Sequence, residues 1–561
     1  MEALLARTAV LAALGLTACA TQPYGASPYW PAPVAAAPAR VAGYAVEERS
    51  LAELAGDLAA GRTTSEQLVR AYLARIESID RSGPTLRSVL LVNPAALEEA
   101  RVMDAERRAG RVRGPLHGVP ILLKDNIETR DMPTTAGSLA LANNAPGRDA
   151  PVTARLRAAG ALILGKTNLS EWANIRSTNS SSGWSAAGGL TRSPYALDRT
   201  ACGSSSGSGV AAAASLAAAA VGTETNGSVV CPAQSSGLVG LKPTVGLVSR
   251  THIVPISHSQ DTAGPMTRTV TDAAMMLNAM AGSDPADPAT READRRKTDY
   301  VRGLDADALR GKRIGVMRFN TGFHDKVDVE FEKALQHMRD AGAELVDVKE
   351  FPRQSDLWRH VLPILLHELK DDLNAYLAST DPRQVQTRTL ADVIAFNEAN
   401  RDLEMPWFGQ ELFTQAQATK GTGDAEYKKS LTTAQTITRT GLDGLIREHR
   451  LDALVAPTGT PAWTIDLING DNSGGGSSTL PAVAGYPNLT VPMGTVKGLP
   501  VGVSFIGPKW SEATLLALGY AFEQRARART RPTYLRTIDD LPQHHPALAP
   551  GRLPETRPAG Q

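Results

Sequence analysis

The sequence predicts an α/β fold in one domain, built on a large mixed β-sheet with helices on both faces. Short apolar segments of strand length alternate with amphipathic segments of helical period, and such alternation is typical of a sheet covered by helices. The pattern runs from residue 43 to about residue 540 without an internal repeat. The 561 residues are 42% hydrophobic and 21% charged, which is an ordinary globular composition.

Within this domain the elements follow from local patterns. Thr64 and Gln67 form a capping signal for a helix whose apolar residues recur at helical spacing. Apolar runs at 118–125 and 161–168 predict two strands, with a helix at 152–159 between them. The remaining predicted elements are an Ala-rich helix that runs into a strand at 208–225, a mostly helical region at 285–450 that covers the site, and strands within 451–461, 486–494 and 499–508.

The first 18 residues predict a signal peptide. Arg7 precedes an apolar stretch that is too short to span a bilayer as a helix. The stretch ends in Leu-Thr-Ala-Cys at 16–19, which resembles the lipobox of bacterial lipoproteins. This resemblance implies lipid attachment to Cys19 and, since Ala20 follows, a protein exported to the periplasmic face of the outer membrane. An ordinary secretory signal is the alternative.

Two further segments are predicted to lie outside the fold. Residues 19–42 are rich in Pro and Ala, which is typical of a tether, and residues 541–561 have the composition of a disordered tail. The net charge of +1 favours neither nucleic acid nor an anionic membrane surface as a partner. The lipid anchor is therefore the only membrane contact that we expect, and the sequence makes no prediction about the oligomeric state.

Lys124 follows three apolar residues at the end of a predicted core strand. A Lys-Asp pair after a strand is commonly an exposed turn. A buried ammonium group, in contrast, is disfavoured by desolvation, which lowers its pKa and makes the neutral amine available as a base. Lys124 is therefore a candidate general base, with the solvated turn as the alternative.

The Ser- and Gly-rich segment 203–209 lies directly before the Ala-rich helix. It allows a flexible linker, a loop in which Ser204 relays a proton, or the G-x-S-x-G elbow with Ser205 as nucleophile. The elbow requires a strand immediately before it, and the preceding segment is polar and broken by Pro194. A phosphate-binding loop would need a closing Gly-Lys-Ser/Thr, which is missing.

Ser228 follows Asn226-Gly227, a pair that favours a simple turn. The functional interpretation makes Ser228 a nucleophile, because a glycine lets the backbone approach a substrate carbonyl closely. The backbone N–H groups of Thr225, Asn226, Gly227 and Ser228 would then hold the oxyanion. Losing one such donor typically lowers the rate about 100- to 1000-fold.

Two cysteines lie next to the candidate serines, Cys202 and Cys231. We expect them to be small buried packing residues. A disulfide is the alternative, since the spacing in sequence does not set the distance in space.

Taken together, these phrases resemble the amidase signature family. Residues 202–208 match the family phrase GGSSGGS, residues 222–232 match GTDTGGSIRxP, and the 24 residues from Ser204 to Ser228 match the family spacing. Residues 237–250, 259–274 and 486–494 agree as well, so the resemblance covers nearly everything from residue 45 to about 530.

The resemblance implies a Ser-Ser-Lys triad in a single amidase-signature domain. Ser228 would be the acylated nucleophile, Ser204 the bridging serine after a cis peptide bond, and Lys124 the base. No cofactor is expected, and no metal, since the sequence contains neither H-E-x-x-H nor paired Cys-x-x-Cys.

Two departures from the family phrase bear on the substrate. Val230 replaces the usual arginine and Asn226 the first glycine, which argues against the glutamyl-tRNA amidotransferase subunits. Residues 203–250 instead resemble bacterial peptide amidases, which release ammonia from C-terminally amidated peptides. We therefore expect deamidation of such peptides, with residues 350–430 deciding substrate choice. The alternatives are an amidase for small aryl, aliphatic or fatty amides, and a binding lipoprotein without activity on the same scaffold.

Overall fold

The computed structural model of the protein describes residues 44–541 and residue 544. The predicted signal peptide, Cys19, the tether at 19–42 and nearly all of the predicted C-terminal tail lie outside the described residues. The described residues belong to one compact unit.

The strands of the described chain are β1 (Val89–Val92), β2 (Pro120–Lys124), β3 (Leu162–Thr167), β4 (Trp184–Ser185), β5 (Gly189–Leu190), β6 (Ala219–Glu224), β7 (Val239–Lys242), β8 (Thr262–Thr267), β9 (Arg313–Met317), β10 (Glu344–Val348), β11 (Ala453–Pro457), β12 (Asn488–Val496) and β13 (Leu499–Ile506). Its α-helices are α1 (Leu51–Ala59), α2 (Ser65–Arg75), α3 (Ala96–Arg108), α4 (Pro151–Ala158), α5 (Ser206–Ala213), α6 (Val230–Ser235), α7 (Val270–Met280), α8 (Ala293–Arg296), α9 (Asp325–Asp340), α10 (Gln354–Ala378), α11 (Leu390–Ala399), α12 (Arg401–Glu404), α13 (Glu411–Ala418), α14 (Ala425–Glu448), α15 (Thr479–Ala484) and α16 (Glu512–Ala526). A π-helical turn (Ile76–Arg81) extends α2, and short 3₁₀ turns occupy Leu139–Leu141, Glu171–Asn174, Pro288–Glu292, Arg318–Asn320 and Ile538–Asp540.

Eleven of these strands form one mixed sheet in the order β1-β3-β2-β6-β8-β7-β12-β13-β11-β9-β10, and β4 pairs with β5 separately. Two groups run parallel, β3-β2-β6 and β11-β9-β10, and the other neighbours are antiparallel. Every residue of the central strands β2, β3, β6, β7 and β8 is buried. Since both faces of the sheet are covered at its centre, the predicted α/β fold is confirmed.

The helices also follow the local patterns. The Thr64 hydroxyl accepts a hydrogen bond from Gln67 N at 3.2 Å, and Gln67 Oε1 accepts one from Thr64 N at 3.1 Å, so α2 begins with the predicted capping box. All eight residues of α5 are buried, and their small side chains let it pack closely against β6 and α6. The long helices α10 and α14 pack against each other in the predicted helical region. None of the described helices is long and apolar enough to cross a membrane.

The expectation for Cys202 and Cys231 is wrong. Their Sγ atoms form a disulfide of 2.00 Å, with the Cα atoms 6.0 Å apart. Cys202 lies before α5 and Cys231 lies in α6, and these two helices pack against each other. Tertiary packing therefore brings the two sulfurs together and ties the segment of Ser204 to the segment of Ser228.

Replacing both cysteines with serine is expected to lower the free energy of unfolding by about 3–4 kcal/mol, because the disulfide closes a loop with a sequence separation of 29 residues. Denaturant unfolding of the wild type and of the double variant measures the difference. As a control, peptide mapping after alkylation without reductant identifies which thiols react. Alkylation of Cys202 and Cys231 in the unfolded wild type would contradict the pairing.

Candidate active site

The candidate site is located where two parallel strands end side by side. In the register of β2 and β6, Leu123 lies opposite Val221, so Lys124 and Thr223 follow at the same edge of the sheet. Lys124 Nζ lies 3.2 Å from the Thr223 carbonyl oxygen and 2.9 Å from its Oγ1. Because the carboxyl ends of neighbouring parallel strands share one edge, side chains from both strands converge there.

Lys124 is fully buried at this edge. Burial lowers the pKa of its amine to about 7, although the nearby charges of Asp261 and Glu224 oppose the shift. Lys124 forms no ion pair with any residue that the structure describes. A large fraction of the amine is therefore neutral near pH 7 and available to accept a proton.

Ser204 provides the third contact of this amine. Its Oγ lies 2.8 Å from Lys124 Nζ, and the side chain is fully buried. The peptide bond between Gly203 and Ser204 is cis, as the resemblance implies. A Cβ on Gly203 would lie 2.2 Å from Ser170 Oγ, so the close packing of this loop requires a glycine.

Ser228 lies on the loop that follows β6, next to the Ser204 segment. Its carbonyl oxygen accepts a hydrogen bond from Ser205 N at 3.2 Å. The hydroxyl of Ser228 is partly exposed and makes no hydrogen bond to another described residue. Glu224 holds the far side of the loop, because its Oε2 accepts hydrogen bonds from Val229 N and Val230 N at 2.8 and 3.0 Å.

The backbone N–H groups of Thr225, Asn226, Gly227 and Ser228 donate no hydrogen bond to any acceptor in the described part of the chain. Gly227 has φ of 87°, a left-handed conformation that favours glycine. The amide side chain of Asn226 bonds instead to the hydroxyl groups of Ser478 and Thr479, at 2.7 and 3.1 Å. The loop thus contains four successive backbone N–H groups that have no acceptor in the described chain.

A cavity of about 400 Å³ opens from this edge of the sheet. Ser204, Thr223 and Thr225 line it, together with the apolar segment 253–256. The carboxylate of Asp261 also faces it and accepts hydrogen bonds from Thr225 Oγ1, Ile256 N and Ser257 N at 2.5, 2.8 and 2.9 Å. Burial raises the pKa of Asp261 to about 6.

Sequence reasoning missed several residues around Lys124 and Ser228. Thr223 and Glu224 belong to the phrase at 222–232. Because successive side chains of a strand point to opposite faces, Thr223 contacts Lys124 and Glu224 bonds to the far side of the loop. Asn126 donates from Nδ2 to Thr223 Oγ1 at 3.0 Å. Asp261 reaches the loop from the start of β8, and no local pattern signals that contact.

In the described chain, one group of side chains has the composition of a metal site, although no metal is expected from the sequence. Ligand atoms of His258, Glu368 and Asp372 lie within 4.8 Å of one another. These side chains bond to neighbouring protein groups: Glu368 accepts a hydrogen bond from the Tyr427 hydroxyl at 2.7 Å, and Asp372 accepts one from His258 N at 2.8 Å. Hydrogen bonding within the protein therefore accounts for the arrangement.

Comparison with known proteins shows the family and the fold of this chain. Residues 67–516 match the family model described as Amidase. The native peptide amidase of Stenotrophomonas maltophilia is similar in structure, with a TM-score of 0.83 and 51% identity, over 87% of this chain and 99% of that one.

Two relatives are similar in sequence. A protein of Arabidopsis thaliana named Probable amidase is 39% identical over 88% of this chain and 93% of its own length. A glutamyl-tRNA(Gln) amidotransferase subunit of Chloroflexus aurantiacus is 37% identical over 84% of this chain and 96% of its own length. Because the family match spans most of the sequence, this chain belongs to the amidase signature family and is an amide-hydrolysing enzyme.

Proposed function

We propose that the protein removes the C-terminal amide of peptides with a Ser-Ser-Lys triad and an acyl-enzyme intermediate. The observation that carries the proposal is the 2.8 Å contact between Lys124 Nζ and Ser204 Oγ in a fully buried environment. A buried lysine of lowered pKa beside a serine hydroxyl is a base that needs neither histidine nor metal.

In the first half of the reaction, Ser228 Oγ attacks the carbonyl carbon of the substrate amide. Its proton passes to Ser204 Oγ as the Ser204 proton moves to Lys124 Nζ. The backbone N–H groups of residues 225–228 stabilise the charge that develops on the carbonyl oxygen. The proton then returns through Ser204 to the amide nitrogen, the carbon–nitrogen bond breaks, and ammonia leaves.

In the second half, water attacks the ester formed on Ser228. Lys124 and Ser204 accept the water proton by the same route and return it to Ser228 Oγ when the ester bond breaks. The products are ammonia and a peptide with a free C-terminal carboxylate. In both half-reactions, every proton that leaves a nucleophile is delivered to a leaving group.

The preference for peptides rests on similarity and on the cavity. The similar Stenotrophomonas maltophilia enzyme is a peptide amidase, and another structure shows that amidase with the competitive inhibitor chymostatin. A volume of about 400 Å³ is within the range of about 300–1,000 Å³ that is typical of small-ligand sites. A panel of peptide, aryl and fatty amides tests the preference, and turnover of the last two classes alone would favour the alternative substrates.

We also propose export and lipidation at Cys19. The disulfide between Cys202 and Cys231 supports export, since stable disulfides are characteristic of oxidising compartments. A purely binding lipoprotein is the weaker alternative, because binding has no need of a lysine and two serines arranged for proton transfer.

Ser228→Ala is expected to lower kcat at least about 10,000-fold, because it removes the hydroxyl that forms the acyl-enzyme in the proposed mechanism. Ser204→Ala and Lys124→Ala should leave small residual rates. Ammonia release from an amidated dipeptide measures all three variants. The matched control is Ser205→Ala, whose hydroxyl bonds to the Thr223 carbonyl at 3.0 Å. Loss of activity in Ser205→Ala with normal activity in Ser228→Ala would instead favour the elbow interpretation.

The pH dependence follows from the lowered pKa of Lys124. Its protonated form cannot accept a proton, so kcat/KM is expected to fall about tenfold per pH unit below pH 7. A kcat/KM profile from pH 5 to 9 on one peptide amide measures this, with circular dichroism over the same range as a control for unfolding. A flat profile down to about pH 5 is incompatible with Lys124 as the base.

Lipidation predicts a mature chain that begins at Cys19 with diacylglycerol on its thiol. Mass spectrometry of the N-terminal peptide from membrane-extracted protein should find this modification, because the Leu-Thr-Ala-Cys sequence directs cleavage before the cysteine. A Cys19→Ala variant is the control and should stay unlipidated. An unmodified N-terminus beginning at another residue would reject the proposal.

A further inference from the structure

Part of the cavity wall, here called the outer end, is polar. One face of α10 forms this part of the wall, where Asp372, Ala375 and Tyr376 line the cavity. His258 lies beside Asp372, with its Nδ1 2.9 Å from a carboxylate oxygen. A short chain of hydrogen bonds connects Thr225 with this part of the wall. Thr225 Oγ1 and Ser257 N both donate to Asp261, and the backbone N of the next residue, His258, donates to Asp372.

The positive charges near this outer end are already paired. Arg250 donates from Nε and from its backbone N to Asp287, at 2.9 and 3.0 Å. Arg148 donates to Glu128 at 2.7 Å, close to His252. Burial lowers the pKa of His252, so this imidazole is neutral at pH 7. Neither arginine therefore offers a free charge to a ligand.

The remaining charges are predominantly negative. Asp261 and Asp372 line the cavity, and the buried Glu368 lies directly behind His258. Among the described residues that line the cavity, the remaining group that can oppose these carboxylates is the imidazole of His258, whose pKa is raised above its usual value by the hydrogen bond with Asp372. At neutral pH the outer end thus carries a net negative charge whether or not His258 is protonated.

Asn126 supplies an independent sign of a ligand. Its side chain lines the cavity and is 4% exposed. Nδ2 donates to Thr223 Oγ1 at 3.0 Å and to the Val254 carbonyl oxygen at 3.4 Å. Since a carbonyl oxygen only accepts, these contacts fix the orientation of the amide, and its Oδ1 is left buried without a partner in the described chain. Buried acceptors of this kind are normally paired with a hydrogen-bond donor, and the N–H of a bound peptide is one such donor.

From these observations, and resting on the proposed function, we infer that the enzyme prefers short peptide amides with a free N-terminal ammonium group. The acyl part of the substrate occupies the cavity. Asn126 Oδ1 accepts a hydrogen bond from a peptide N–H, and the carboxylate of Asp372 binds the ammonium group at the outer end.

The test compares each peptide amide with its N-acetylated form, which has the same side chains but no ammonium charge. Both dipeptide and tripeptide amides are tested, because the length of the peptide determines whether its ammonium group reaches Asp372. In the wild-type enzyme we expect kcat/KM to favour the free ammonium form of at least one length by about 5- to 10-fold. The preference should appear mainly in KM and should shrink at high salt.

Asp372→Asn keeps an acceptor for His258 N and removes the charge, so it is expected to bring the ratio of free to acetylated kcat/KM close to one. Asp356→Asn is the matched control, since Asp356 lies on the same helix, outside the cavity, and bonds to Arg353 and Arg359. This control should keep the wild-type ratio. The salt dependence of the wild type tests the same point without any substitution.

Three outcomes would overturn the inference. Equal kcat/KM for free and acetylated forms at both lengths would exclude recognition of the ammonium group. A wild-type preference that persists in Asp372→Asn and at high salt would exclude Asp372 as its origin. Failure to hydrolyse any of the four substrates would instead reject the proposed peptide amidase function, and the inference with it.

Discussion

The structure depends on the burial of one lysine without a charged partner. Lys124 lies at the junction of β2 and β6, and within the described part of the chain its Nζ bonds only to Ser204 and Thr223. Burying a charged ammonium group is costly unless it is paired, and the cost falls when the amine loses its proton. The fold therefore favours the neutral form that proton transfer requires. The two carboxylates that oppose this effect, Asp261 and Glu224, are engaged elsewhere, one with Thr225 Oγ1 and the other with the backbone after Ser228.

A second buried lysine shows what pairing does. Lys166 lies on β3, beside β2, and its Nζ is 2.9 Å from Asp125 Oδ1, with both side chains fully buried. It also donates to the Pro133 carbonyl and to Thr134 Oγ1. This pair fixes the turn that follows β2, directly beyond Lys124. Adjacent strands thus carry two buried lysines with different surroundings. Lys166 is paired with the carboxylate of Asp125 and holds the turn, whereas Lys124 has no carboxylate in contact with its amine among the described residues.

The two candidate serines come from loops that the sheet alone does not hold together. Ser204 precedes α5 and Ser228 precedes α6, and three kinds of contact join them: helix packing, the hydrogen bond from Ser205 N to the Ser228 carbonyl, and the disulfide between Cys202 and Cys231. Such redundancy suits a proton relay, because small displacements of the reacting groups are costly for catalysis. The loop at 225–228 also leaves four backbone N–H groups without an acceptor in the described chain. Buried backbone N–H groups in folded proteins are normally hydrogen-bonded.

The sequence by itself determined the α/β class, most of the strands and helices near the site, and the family, and it indicated Lys124, Ser204 and Ser228 as candidate site residues. These depend on local patterns: the period of apolar residues, capping at Thr64, and two short phrases around Ser204 and Ser228. Only the tertiary structure decided the order of the eleven strands, the pairing of Cys202 with Cys231, and the approach of Asp261 to Thr225. Each of these joins segments that are distant in the chain, and distances across a sheet are set by strand order and helix packing. The acidic outer end of the cavity belongs to the same class, because Asp372 and His258 come from separate elements and no local pattern records that they meet.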